Sequence, residues 1–205
     1  MDFGLIFKSF FALILAYVIG SISLGYFLAK AKGIDLRKAG PIKNIGTSNV
    51  RHVLGLPYAI ATALWDISKG IISVLIGIFL GLPIFFLALI GLFAIIGHCF
   101  PFYLDFKGGR GAATAYGLII FGLIAIIINQ ELVKVYLPLL LIALVSFLLL
   151  FITKAKNLTA IIAALLVFFF FSPRVSTTYI WILNIGFFWL ALLGIIAIKE
   201  KGWKA

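Results

Sequence analysis

Residues 83–100 read PIFFLALIGLFAIIGHCF, an apolar run without Asp, Glu, Lys or Arg. A helix needs roughly 17 to 25 residues to cross the hydrocarbon core of a bilayer. The run therefore predicts a membrane-spanning helix that ends at Pro101, before a glycine-rich loop. The whole chain shares this character, because 64% of its 205 residues are hydrophobic and 11% are charged, with a mean hydropathy of +1.26. Such a composition excludes a soluble globular domain.

Further apolar runs lie on both sides of this segment, and lipid favours helices because it cannot satisfy open backbone groups. Seven spans are predicted, at about 4–28, 57–80, 83–100, 112–128, 135–153, 158–171 and 178–198. No shift in composition separates them, so we predict one all-α membrane domain over residues 1–205. The first run is longer than the core of a signal peptide and lacks a cleavage pattern, so we expect it to remain as a membrane helix.

The 17 Lys and Arg residues are unequally distributed over the loops between these spans. Cationic loops are retained in the cytoplasm, so we predict an external amino terminus and a cytoplasmic carboxyl terminus. The net charge of +11 follows this topology, which favours membrane lipids over nucleic acid as its partner. The cytoplasmic side would hold Lys30, Lys32, Arg37, Lys38, Lys43, Arg51, Lys107, Arg110, Lys154, Lys156, Lys199, Lys201 and Lys204.

The first basic loop, residues 40–55, reads GPIKNIGTSNVRHVLG and is rich in small polar side chains. Such side chains can donate to phosphate or hydroxyl oxygens, and Arg51 adds a planar cation. A structural turn in which Ser48 or Asn49 caps a short helix would use the same residues, and composition leaves both interpretations open. The candidate ligands in this loop are Asn44, Thr47, Ser48, Asn49 and Arg51.

The second basic loop lies within residues 97–114, which read GHCFPFYLDFKGGRGAAT. Lys107 and Arg110 flank Gly108 and Gly109, and Gly111 leads into the next predicted helix. Unpaired backbone amides, two cations and a helix amino terminus together predict an anion site. The spacing of the nucleotide P-loop and its supporting strand are absent, so the sequence does not predict a nucleotide site.

His98, Asp66 and Lys69 are ionisable residues inside or at the end of predicted spans. His98 faces the second loop and could be a base, a phosphate donor or a structural residue. Asp66 and Lys69 are three residues apart and share a helix face, so we predict a mutually compensating pair, with support of an active site as the second possibility. The single cysteine, Cys99, excludes an intramolecular disulfide and a multi-cysteine metal site. We predict no metal or other cofactor.

Four motifs within residues 20–114 resemble those of the acyl-phosphate-dependent glycerol-3-phosphate acyltransferases, the PlsY family. GSISLGYFLAK at 20–30 resembles G-S-I-P-x-G-Y-x-x-A-K, and NIGTSN at 44–49 resembles N-x-G-A-T-N. WDISKG at 65–70 is similar to L-D-x-x-K-G, and residues 97–114 are similar to G-H-x-F-P-x-F-x-x-F-K-G-G-K-G-V-A-T. The order and spacing agree, and seven spans with an external amino terminus are also that family's architecture.

The resemblance implies acyl transfer from acyl phosphate to the sn-1 hydroxyl of glycerol 3-phosphate, giving lysophosphatidic acid for phospholipid synthesis. It places the protein in the bacterial inner membrane, with its active-site loops in the cytoplasm. It implies catalytic roles for His98, Lys107 and Arg110 and supporting roles for Ser21, Lys30, Asp66 and Lys69. Substrate binding would fall to Asn44, Thr47, Ser48, Asn49, Arg51, Gly108, Gly109 and Gly111.

The sequence departs from the family pattern at several of these positions. Ile42 stands in place of a serine, His52 stands in place of an arginine, and Arg110 stands in place of a lysine. The carboxyl-terminal tail, residues 199–203, also lacks the family's usual histidine and asparagine. The changes at Ile42, at His52 and in the tail favour a first alternative, a catalytically degenerate member that binds a lipid phosphate or a partner protein. A second alternative is a small transporter, which would need polar residues along its spans rather than at one membrane face.

Overall fold

The computed structural model describes residues 2–128 and 180–201. It is all-helical over those ranges, with no β-strand. The helices are α1 (Phe3–Ser21), α2 (Leu24–Lys30), α3 (Thr47–Leu54), α4 (Leu56–Phe79), α5 (Ile84–Cys99), α6 (Ala112–Ile128) and α7 (Ile180–Lys201), and a 3₁₀ turn (Phe102–Leu104) follows α5.

Three stretches of the described residues are apolar and long enough to cross a bilayer, namely Phe3–Ser21, Leu56–Phe79 and Ile84–Leu104. Helices α4, α5 and α6 lie within a residue of the segments predicted at 57–80, 83–100 and 112–128. Helix α7 covers most of the segment predicted at 178–198. The segments predicted at 135–153 and 158–171 lie outside the described residues.

The prediction of a single helix over residues 4–28 is wrong, because the helix is interrupted between α1 and α2. Ile22 and Ser23 have extended backbone, and the Ser23 Oγ accepts a hydrogen bond from Tyr26 N at 3.3 Å, which caps α2. The Tyr103 hydroxyl donates to Ser21 O at 2.7 Å and accepts from Ser23 N at 3.2 Å. Side chains distant in sequence thus satisfy the backbone groups that the break releases, which is the condition for irregular backbone at membrane depth.

Helices α1 and α5 pack backbone against backbone. A Cβ at Gly20 would overlap the Ala94 carbonyl oxygen, and a Cβ at Gly97 would overlap the Tyr17 carbonyl oxygen. The Tyr17 hydroxyl also donates to Phe100 O at 2.7 Å. Small residues at such an interface let the helices approach closely and gain dispersion contacts. The approach holds the end of α5 against the end of α1.

A small apolar core lies beneath the two basic loops. Its residues come from α2, from the segment between α2 and α3, from α3 and α4, and from the 3₁₀ turn. Both basic loops therefore pack on one set of buried side chains. Its fully buried members are Ala29, Leu36, Ile45, Val50, Ala59 and Leu104.

The contacts of the chain divide it into two compact units, residues 1–117 and 118–205. All the residues that the sequence proposed for the site lie in the first unit. In the second unit, α7 exposes Phe188 and Ile195 and buries Asn184, whose side-chain amide has no hydrogen-bond partner among the described residues. The single domain over residues 1–205 stays a prediction.

Replacing Gly97 by Ala should destabilise the protein, because the added Cβ would push Tyr17 and α1 away from α5. Overpacking of this kind costs about 1–3 kcal/mol, and each kcal/mol lowers Tm by about 2–4 °C in a chain of this length. We expect a lower Tm of the detergent-solubilised protein. Gly4→Ala is the matched control, because its nearest neighbour is the flexible Asp2 carboxylate at 3.3 Å. Equal Tm values for the two variants would contradict the backbone contact.

Candidate active site

Asp66, Lys69 and His98 form a buried cluster where α4 meets the end of α5. Their exposed fractions are 1%, 0% and 3%. Lys69 Nζ lies 2.9 Å from Asp66 Oδ1, 2.7 Å from His98 Nδ1 and 3.4 Å from Ile22 O at the break between α1 and α2. His98 Nδ1 lies 3.4 Å from the same Asp66 oxygen. The predicted Asp66–Lys69 pair is present, and His98 joins it.

The glycine-rich loop folds back onto the end of α5. Gly108 N donates to Cys99 O at 2.9 Å, and Gly109 N donates to His98 O at 3.1 Å. A Cβ at Gly109 would overlap His98 Nε2, and a Cβ at Gly108 would overlap the His98 carbonyl oxygen. Only glycine at these two positions lets the loop lie directly on the histidine and on the last carbonyls of its helix.

These contacts correct the expected origin of the anion site. The amides of Gly108 and Gly109 cap α5, so they are not the unpaired donors that the sequence suggested. The first hydrogen bond of α6 runs from Ala115 N to Gly111 O, so the amides of residues 112–114 precede it and have no i−4 helical acceptor. An anion would therefore meet the amino terminus of α6 rather than the two glycines.

The remaining groups of this loop suit an anion at that helix end. Lys107 and Arg110 are both exposed, and Gly111 has a φ of +78° that turns the chain into α6. Thr114, in the first turn of α6, is fully buried, and its hydroxyl has no hydrogen-bond partner in the described part of the chain. The motif quoted from the sequence ended at Thr114, but nothing in the pattern showed that its hydroxyl would be left unpaired.

Arg37 links the segment between α2 and α3 to the second basic loop, and sequence reasoning missed it. Its guanidinium contacts Asp35 Oδ1 at 3.1 Å through Nε and Asp105 Oδ2 at 3.2 Å through Nη1. Asp105 and Phe106 both have φ between +50° and +60°, at 53° and 57°, which is a strained conformation for side chains other than glycine. The hydrogen bonds from Arg37 lower the pKa of the Asp35 carboxyl, and the Asp35 carboxylate raises the pKa of Arg37.

Asn49 organises the first basic loop from within. It is fully buried, and its Nδ2 donates to Leu36 O at 3.0 Å and to Ala39 O and Asn44 O at 2.9 Å. Its Oδ1 accepts from Ile42 N at 3.2 Å. The side chain has no donor left for a substrate, which corrects the expectation that Asn49 donates to a phosphate or hydroxyl oxygen.

The other candidates lie in α3 or just before it. The helix begins at Thr47 after Gly46 without a side-chain cap, so neither Ser48 nor Asn49 opens it. Asn44 Oδ1 accepts from Gly46 N at 3.1 Å and shapes the approach to the helix. The Thr47 hydroxyl is buried without a hydrogen-bond partner among the described residues, while Ser48 and Arg51 are exposed.

The sequence profile of a family described as glycerol-3-phosphate acyltransferase matches residues 10–202. The chain belongs to the glycerol-3-phosphate acyltransferase family. Curated members similar to it include proteins from Geobacter metallireducens, 48% identical over 50% of this chain and 53% of that protein, and Deinococcus radiodurans, 45% identical over 53% and 54%. The chain spans about half the length of the curated relatives it matches.

Two solved structures are similar to the chain as well. Both are of PlsY, an integral membrane glycerol 3-phosphate acyltransferase, one in its glycerol 3-phosphate form and one in its lysophosphatidic acid form. The first has a TM-score of 0.62 and 28% identity, covering 95% of this chain and 94% of that one. The second has a TM-score of 0.60 and 27% identity, covering 95% and 93%.

The structure places the family's motifs around two neighbouring centres. His98, Asp66, Lys69 and the glycine-rich loop form one, and the Asn49 loop with α3 forms the other. The predicted supporting residue Ser21 lies at the break, where Tyr103 contacts its carbonyl, whereas the Lys30 ammonium lies 5.7 Å from the Tyr26 ring centre and is exposed. Ile42 donates its backbone N–H to Asn49 Oδ1.

Replacing Asn49 by Leu should open the first basic loop, because three carbonyls would lose their donor and each unsatisfied buried polar group costs about 1–3 kcal/mol. We expect faster trypsin cleavage after Lys38 and Lys43, detected by mass spectrometry. Ser48→Ala, at an exposed neighbouring position, is the control and should cleave at the wild-type rate. Wild-type cleavage in Asn49→Leu would contradict the role of Asn49.

The Asp35–Arg37 pair predicts a pH-dependent contribution to stability. The folded-state pKa of Asp35 is lowered by Arg37, so the contribution is present above the unfolded value of about 3.9 and is lost as the pH falls through the folded value. The Tm difference between wild type and Asp35→Asn should be constant near neutral pH and shrink towards zero in acid. Asp2→Asn, at the exposed start of α1, is the control. A difference that persists unchanged at pH 3 would contradict the pair.

Proposed function

We propose that this protein transfers an acyl group from acyl phosphate to the sn-1 hydroxyl of glycerol 3-phosphate, giving lysophosphatidic acid. The observation that carries the proposal is the Lys107–Arg110 loop, which the end of α5 holds against the amino terminus of α6. Membership of the family and the likeness to PlsY in its glycerol 3-phosphate and lysophosphatidic acid forms support the choice of substrates.

The reaction needs positioning more than a protein nucleophile. The hydroxyl oxygen bonds to the carbonyl carbon, the bond from that carbon to the phosphate oxygen breaks, and the departing phosphate carries away the hydroxyl proton. Lys107, Arg110 and the amides at the start of α6 would hold the acyl phosphate and neutralise its developing charge. Gly111 lets the backbone turn there, with φ +78°. Proximity of the two substrates supplies much of the remaining acceleration.

Glycerol 3-phosphate would bind at the start of α3. Ser48 and Arg51 are exposed there, and the buried Thr47 hydroxyl has no hydrogen-bond partner in residues 2–128 and 180–201. Thr47 would replace the hydroxyl that the family's serine supplies and Ile42 lacks. Asn44 shapes the loop and Arg51 supplies a planar cation for the phosphate. Asn49 supports the site indirectly, through hydrogen bonds from its side chain to main-chain atoms of the loop.

The same proposal includes the topology. Seven spans in one domain, an external amino terminus and a cytoplasmic carboxyl terminus would place both basic loops on the cytoplasmic face of the bacterial inner membrane. The charge distribution supports this orientation, since Lys30 ends α2 and Lys32, Arg37, Lys38 and Lys43 all lie in the segment between α2 and α3.

The test is phosphate release from palmitoyl phosphate by the purified protein in lipid, with and without glycerol 3-phosphate. We expect release that depends on glycerol 3-phosphate, together with lysophosphatidic acid detected by mass spectrometry. Lys107→Ala and Arg110→Ala should each lower turnover by at least about tenfold, because each removes a charge-assisted contact worth roughly 1.5–3 kcal/mol. Lys32→Ala, a basic residue whose ammonium lies 4.9 Å from the Tyr58 ring centre, is the control.

Two outcomes would contradict the proposal. Unchanged turnover in both loop variants would remove the glycine-rich loop as the phosphate site. Binding of palmitoyl phosphate by folded protein without any turnover would instead support a catalytically degenerate member of the family, in which the change to Ile42 has abolished the reaction.

A further inference from the structure

The strongest feature outside the substrate loops is the buried cluster of Asp66, Lys69 and His98. We propose that Lys69 fixes His98 in the tautomer with its proton on Nε2, which makes His98 a hydrogen-bond donor and positioning residue beneath the glycine-rich loop rather than a general base. The activity part of this inference rests on the proposed acyltransferase function, and its spectroscopic part does not.

The charge state of Lys69 follows from its surroundings. Its ammonium lies 2.9 Å from Asp66 Oδ1, and both groups are at most 1% exposed. Removing one charge of such a pair would leave the other buried without compensation, which is strongly unfavourable. Transfer of the proton from Lys69 to Asp66 would have to overcome a difference of about six units between the ordinary pKa values of the two groups, so the pair consists of an ammonium and a carboxylate.

The tautomer follows from the contact between Lys69 and His98. An ammonium has three N–H donors and no acceptor. Its contact with His98 Nδ1, at 2.7 Å, is therefore a hydrogen bond only if Nδ1 accepts. In neutral imidazole the other nitrogen then carries the proton, so Nε2 is the donor. Asp66 Oδ1 lies farther from Nδ1, at 3.4 Å, and is already paired with Lys69.

The Nε2 edge of the ring lies against the glycine-rich loop. A Cβ at Gly109 would overlap Nε2, and Gly109 N donates to the carbonyl of His98 itself. The ring is only 3% exposed, so it supports the loop from beneath. Among the described residues, the ionised groups within contact distance of the ring are Asp66 and Lys69. Both groups contact Nδ1, so neither donates a proton to a lone pair on Nε2.

The tautomer can be measured directly in the intact protein. The chain has two histidines, so ¹⁵N-histidine labelling gives two rings, and His52→Gln assigns the signals of His98. We expect the Nε2–H tautomer of His98. The Nδ1–H tautomer, or a ring protonated on both nitrogens at neutral pH, would overturn the inference whether or not the protein is an acyltransferase.

Removing Lys69 should abolish the preference of His98 for one tautomer. The double variant Asp66→Asn with Lys69→Met avoids a buried unpaired charge, so it should fold where either single change fails. We expect the His98 signals to shift to a mixture of tautomers in this variant. Signals identical to those of wild type would show that Lys69 does not select the tautomer.

Activity gives a second, independent measure. His98→Gln places a carboxamide near the position of Nε2 and can donate, but it cannot act as a base. We expect it to keep the wild-type pH profile of kcat/KM and to raise KM for palmitoyl phosphate less than His98→Ala, which loosens the loop. A loss of about 10²–10⁴-fold in kcat in His98→Gln, the cost of removing a general base, would overturn the positioning role. If wild type is inactive, the proposed function fails and the labelling result still stands or falls by itself.

Discussion

The rest of the site depends on the contacts of one buried group, the ammonium of Lys69. A cation at this depth needs partners from the protein, because neither lipid nor water supplies them. Lys69 finds them on three elements, in Asp66 on its own helix, in His98 on α5 and in the Ile22 carbonyl at the break before α2. One buried charge therefore joins the interrupted first helix to the end of the helix that carries the glycine-rich loop.

Backbone contacts connect the Lys69 cluster to the loops around it. The end of α5 captures Gly108 and Gly109, and the close approach of Gly97 to α1 keeps that end in place. Arg37 then connects the strained turn at Asp105 to the segment between α2 and α3. The exposed Lys107 and Arg110 thus lie on a loop that contacts within the protein hold in place.

Hydropathy and spacing predicted α4, α5 and α6 and the pairing of Asp66 with Lys69, because length, apolarity and helical period are local properties. The break after Ser21 was not predictable in this way, since its partners Trp65 and Tyr103 are distant in sequence, with Trp65 Nε1 donating to Ile22 O at 2.8 Å. Nor could sequence show whether the Asn49 amide serves a ligand or the backbone, because the residue type is the same in both cases.

The contacts of Asn49 have a consequence for how the protein can change over time. Every group it bonds is main chain, at Leu36, Ala39, Ile42 and Asn44, so these hydrogen bonds do not depend on which side chain a position such as Ile42 carries. The loop can therefore accept new side chains such as Ile42 without being rebuilt. Single mutations can thus change the side chains that this loop presents, while the hydrogen bonds of Asn49 that shape it are inherited intact.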